Sequence, residues 1–181
     1  MFLSLQQRYI LDLLHQLHYA RTDQLHTLVQ ERYRAALPDY TRARTDAMLR
    51  QLRGCIPYFR IQNDIASLSQ VEPDPLYLEA IDVMLTLSEG RPQGVARSTR
   101  SPRMLSFVWG REHLHRFTVA RLEEATPAGL ALVNQGQLER ILWLTPSNTV
   151  PDGLSLPLNQ FLVIRQPDGT HRFYGPSNEQ T

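Results

Sequence analysis

The stretch from Pro38 to Gly54 limits more than any other what this chain can become. Thr41, or Asp39 one turn earlier, can place a side-chain oxygen on the free N–H groups of a first helical turn. Gly54 tolerates the left-handed conformation that ends helices. Between those ends Thr45, Met48, Leu49 and Leu52 recur at helical spacing on one face, and Arg42, Asp46, Arg50 and Arg53 on another. One face can be buried while the other carries guanidinium groups outward. A helix that reads DNA needs that division, since arginine contacts both phosphates and the major-groove edge of guanine. An arginine-rich face is also an ordinary solvated surface, so the flanking residues decide between the two.

Upstream, Ser4-Leu5-Gln6-Gln7 has the pattern of a capping box. Leu5, Tyr9, Leu13 and Leu17, with Ile10 and Leu14, form the apolar stripe of a first helix ending near His18. Tyr19-Ala20-Arg21 has no helical period, and Thr22 can cap a second helix that buries Leu25, Leu28 and Val29 and runs to about Arg32. Downstream, the runs 56–62 and 65–68 read as extended around an Asn63-Asp64 turn. Three helices followed by a hairpin predict a winged helix-turn-helix, with the third helix as reader and the hairpin as wing. On that expectation Arg42, Arg44 and Arg50 contact groove or phosphates, Thr41 and Thr45 add lesser polar contacts, and Arg60 lies on the wing.

Two prolines in Val71-Glu72-Pro73-Asp74-Pro75 cannot continue a helix or donate to a sheet, which predicts domains at 1–71 and 72–181. Leu76 to Leu87 reads as an amphipathic to largely buried helix closing at Gly90. Residues 91–103 carry four arginines and little apolar content, so they are expected to form a basic loop able to lie on phosphates. From Met104 the period becomes that of strands, over 104–109 and 115–122, with Trp109 and Trp143 as core residues. A helix over 126–135, a strand over 140–145 and a hairpin of 161–165 with 171–174 complete an α+β domain with one mixed sheet.

Composition narrows the function classes. At 181 residues with 42% hydrophobic and 20% charged side chains, the chain can bury real cores, and no apolar run approaches membrane-spanning length. Arg8, Asp12, His15 and His18 interrupt the first twenty residues, unlike a signal peptide, so a cytoplasmic location is expected. The net charge of +1 hides a local excess, with nine arginines against six acidic residues over 1–71. The sequence contains no lysine. The only cysteine, Cys55, is expected to be a buried thiol.

Restriction-type nucleases share the succession of elements over 76–175, and they use an acidic-x-lysine triplet to hold metal and steady the attacking water. The strand from His115 to Ala120 has no carboxylate, and Glu123-Glu124 lie past its end. Glu112, His113 and His115 lack a credible further ligand. Neither a Gly-rich phosphate loop nor a serine elbow is present. No residue is therefore assigned to catalysis, and neither a metal nor a cofactor is expected.

Leu5 to Val29, with Tyr19-Ala20-Arg21-Thr22-Asp23-Gln24-Leu25 opening the second helix, resembles the winged-helix proteins related to replication-relaxation factors of bacterial plasmids and integrated elements. The later part, from Asp74-Pro75-Leu76 through Arg103–Leu122 and Phe161–Gly175, is similar in layout to a family of small bacterial winged-helix proteins whose C-terminal α/β domain looks like a degenerate nuclease. The resemblance implies binding of double-stranded DNA in a mobile-element setting and carries no activity over to any residue. The C-terminal domain would then mediate a homodimer or hold a protein partner. The alternative is an interaction adaptor that keeps the winged-helix fold without binding DNA, and a lysine-free nuclease is a weaker third.

Overall fold

The structure, a computed structural model, describes residues 2–70, 72–124, 139–147, 149–150 and 156–175. It is α+β and divides into two compact units, Met1–Arg97 and Ser98–Thr181.

In the first unit, helix α1 (Leu5–Leu17) starts on the expected capping box: Gln7 N donates to Ser4 Oγ at 3.1 Å and Ser4 N to Gln7 Oε1 at 2.9 Å. Its Ile10, Leu13, Leu14 and Leu17 are buried. His18, at φ 67°, turns the chain out of the helix into β1 (Tyr19–Arg21). Three residues without a helical period are thus a strand, paired antiparallel with β3 (Ile65–Ser67) so that Tyr19 faces Ser67. Helix α2 (Thr22–Tyr33) buries Leu25, Leu28 and Val29 completely. Thr22 stands inside its first turn and does not cap it; Gln24 Oε1 accepts from Arg21 N at 2.9 Å.

Helix α3 (Arg42–Cys55) passes through Gly54, which does not terminate it as expected. Pro57 ends it instead, by forcing the preceding residue out of the helical region. Ile56 is extended at φ −108° and ψ 109°, and its N–H still closes the last turn on Leu52 O at 2.8 Å. Cys55 at this end is exposed, not buried. Strands β2 (Arg60–Gln62) and β3 form the expected hairpin, and the sheet order is β1-β3-β2. Asn63 and Asp64, at φ 50° and 60°, make the tight two-residue loop that suits twisted strands.

Helix α4 (Pro75–Leu87) is capped by the Asp74 carboxylate, which accepts from Leu76 N at 2.9 Å. It is bonded to the elements before it: Tyr77 Oη donates to Leu17 O at 2.9 Å and Gln24 Nε2 to Leu78 O at 2.7 Å. The boundary expected at 71/72 therefore falls inside the first unit, because the prolines stop a helix without separating the packing on either side.

The basic segment 91–103 is a loop only in part, since a strand runs through its middle. Strand β4 (Gln93–Arg97) buries Val95, Arg91 pairs with Glu31 at 3.2 Å, and Arg97 lies over the Tyr19 and Tyr77 rings at 5.2 and 4.9 Å. Two of its arginines are thus held on the protein by a carboxylate and by aromatic faces.

In the second unit, β5 (Arg103–Trp109) pairs antiparallel with β6 (His115–Arg121), and β6, β7 (Glu139–Leu144) and β8 (Gln160–Arg165) are parallel. β9 (His171–Tyr174) returns antiparallel to β8 through a turn in which Gly169 adopts φ 84°. The helix expected over 126–135 lies outside the described residues. Ala120, Ile141, Trp143, Leu162 and Ile164 form one core cluster, and Trp143 Nε1 donates to the buried Gln160 Oε1 at 2.6 Å. Trp109 is only partly buried. Arg103, the last arginine of the basic segment, pairs with Glu139 at 3.4 Å.

Candidate nucleic-acid interface

Helix α3 turns Thr45, Leu49 and Leu52 inward and leaves Arg44, Arg50, Gln51 and Arg53 exposed. At 3.6 residues per turn, Arg50 lies about 9 Å along the axis from Arg44 and roughly 120° around it. The two arginines therefore stand on opposite flanks of the outer face, with Ala43, Ala47 and Gly54 between them. Arg53 shares the flank of Arg50 and Gln51 that of Arg44. Among the described residues Arg44, Arg50, Arg53 and Arg60 make no ion pair.

The other expected contacts have different roles. Arg42 donates from Nε to Asp46 Oδ1 at 3.1 Å and from Nη2 to Thr22 Oγ1 at 2.6 Å, so its charge is matched by a carboxylate and its side chain joins the starts of α2 and α3. Thr45 is fully buried, which removes it from any outer contact. Its hydroxyl lies 2.9 Å from His26 Nδ1 and 3.0 Å from Tyr40 Oη, and the His26 and Tyr40 rings stack at 5.8 Å. Burial pushes the Tyr40 phenol above its ordinary range; burial and the neighbouring Arg42 hold the His26 imidazole below its own. Thr41 is exposed at the helix start and makes no side-chain cap bond. Arg60 is exposed on β2, beside a hollow of about 390 Å³ that also borders Gln62, Ser69 and Glu72.

Gln51 is not singled out by sequence, and Arg53 is placed on the arginine face there without being counted among the contacts. Arg53 was visible three residues after Arg50 on one helical face. Nothing in the sequence marks Gln51, whose side chain is oriented from α1: Gln7 Nε2 donates to Gln51 Oε1 at 2.9 Å.

No family model, curated protein or solved structure matches the chain. The geometry of α3 and its surroundings therefore carries the functional reading. Among the described residues no group of three or more His, Cys, Asp or Glu side chains could hold a metal ion, and no helix is long and apolar enough to cross a membrane.

Proposed function

We propose that the chain is a DNA-binding protein whose first unit is a winged helix-turn-helix, with α3 as its recognition helix and the β2–β3 hairpin as a short wing. The observation that carries this reading is the pair of exposed arginines, Arg44 and Arg50, that flank a band of small residues on α3 and form no ion pair among the described residues. A helix of that profile fits a major groove about 12 Å wide, with guanidinium groups on each side to meet the two phosphate ridges. The resemblance of Leu5–Val29 to replication-relaxation proteins supports a role as regulator or accessory protein of a bacterial mobile element. The second unit is read on the same ground as a degenerate nuclease-like domain that supplies dimer or partner contacts. We read the whole as non-enzymatic, since β6 carries no carboxylate and the sequence no lysine.

A specific observation favours a second reading. Residues 1–97 hold as many acidic side chains as arginines, so this unit has no overall positive field to steer it to a polyanion. An adaptor that uses the same helix face against an acidic protein surface fits that balance. Fluorescence anisotropy with a labelled duplex across a salt series separates the two. DNA binding predicts an affinity that falls steeply as salt rises and is lost on replacing Arg44 and Arg50 by alanine; no salt-dependent binding would leave the adaptor.

A further inference from the structure

We infer that Gln51 is a further phosphate contact of α3 and that the buried Gln7 sets which end of its amide faces outward. This rests on the DNA-binding reading above. The orientation follows from which groups can donate. A backbone N–H only donates, so the Gln7 atom 2.9 Å from Ser4 N is its oxygen. The other end of the Gln7 amide is then an NH₂, which also only donates. Its partner at 2.9 Å must be the Gln51 oxygen, and the Gln51 NH₂ is turned away from α1. Gln51 is exposed and, among the described residues, its Nε2 has no hydrogen-bond partner.

Gln51 follows Arg44 by seven residues, nearly two full turns, so both lie along one line of the helix. The two strongly polar terminal groups on that line, the Arg44 guanidinium and the Gln51 NH₂, are both donors. A row of donors with no acceptor among them selects anionic oxygens, and on duplex DNA those are the phosphates of one strand beside the groove. Gln7 is 5% exposed and touches no ligand itself. It is a positioning residue, and the capping box of α1 is thereby linked to the polarity of the α3 surface.

The test uses the full chain, a labelled duplex of mixed sequence and anisotropy across a salt series. Gln51→Ala is expected to weaken binding about three- to ten-fold at every salt concentration. The slope of log affinity against log salt stays unchanged, because a neutral amide releases no counterion. Gln7→Glu keeps the oxygen that accepts from Ser4 N but presents a second acceptor to Gln51, whose amide must turn over. The expected result is a similar loss for Gln7→Glu alone and no further loss when it is added to Gln51→Ala. Wild-type affinity in Gln51→Ala, with affinity lost in the Arg44→Ala/Arg50→Ala variant, would overturn this inference and leave DNA binding intact. Additive losses in the double variant would overturn the orienting role of Gln7. Absence of salt-dependent binding in the wild type would remove both readings. Should Gln7→Glu unfold, Gln51→Glu decides. It keeps the acceptor for Gln7 and turns the outward donor into an anion, so a loss no greater than that of Gln51→Ala would overturn the proposal.

Discussion

Arg21 holds both carboxylate oxygens of Asp82, at 2.5 and 2.7 Å, across 61 residues of sequence. Asp82 also accepts from Gln24 Nε2 at 2.8 Å, so one carboxylate gathers donors from β1 and α2 onto α4. Together with the buried Leu76, Ile81, Val83 and Met84, this arrangement positions α4. Replacing Asp82 by alanine leaves the Arg21 guanidinium and the buried Gln24 amide each short of one acceptor. The expected cost is about 2 kcal/mol, measured by urea unfolding, with Asp82→Asn recovering part of it.

Thr45 provides a test of inward against outward roles. Thr45→Val preserves shape but removes the hydroxyl between His26 and Tyr40, leaving polar groups unmatched in a buried place. Stability is expected to fall by about 1–2 kcal/mol. DNA affinity of the folded protein is expected to stay at the wild-type value; a large loss without unfolding would show that the hydroxyl is reached by the ligand.

Stability should depend on pH through His26. Its folded pKa lies below the ordinary 6.5, chiefly by burial and then by Arg42, with Asp46 opposing. The unfolded chain therefore takes up the proton first. Stability is fully present above about 6.5 and declines as pH falls through that value toward the lower folded one. His26→Gln should flatten the acid side of a melting-temperature profile, and an unchanged slope would contradict the assignment.

Arginines on α3 should separate by their pairing. Arg44→Ala and Arg50→Ala should each lower the salt-dependence slope by about one, as expected for a lost phosphate contact. Arg42 is matched by Asp46, so Arg42→Ala should move the slope little and instead loosen the junction with Thr22. Equal slopes for all three would show that the Arg42–Asp46 pair opens on binding.

Much of this architecture was legible in residue order. Ser4 and Gln7 announced α1, the apolar spacing of Leu25, Leu28 and Val29 gave α2, and Asn63-Asp64 marked the hairpin. What escaped was set at a distance. Tyr19–Arg21 is a strand only because β3 offers it a partner 46 residues later, and β4 was hidden by arginines whose neutralising groups, Glu31 and two tyrosine rings, come from α2, β1 and α4. In the candidate interface, period identified the exposed arginines, but charge alone could not distinguish Arg42, already engaged, from Arg44. Helix spacing likewise put Thr45 on the inner face, while its hydroxyl suggested an outer contact; burial decided for the first.

The turn of the hairpin bears on how such a protein would meet a ligand. Asp64 O accepts from Thr22 N at 2.8 Å, so the loop at the hairpin tip is fastened to the first turn of α2. A hairpin anchored in this way is tied to the helices rather than left to move apart from them. Engagement would proceed as a rigid docking of one preformed surface, with little ordering left to occur on contact.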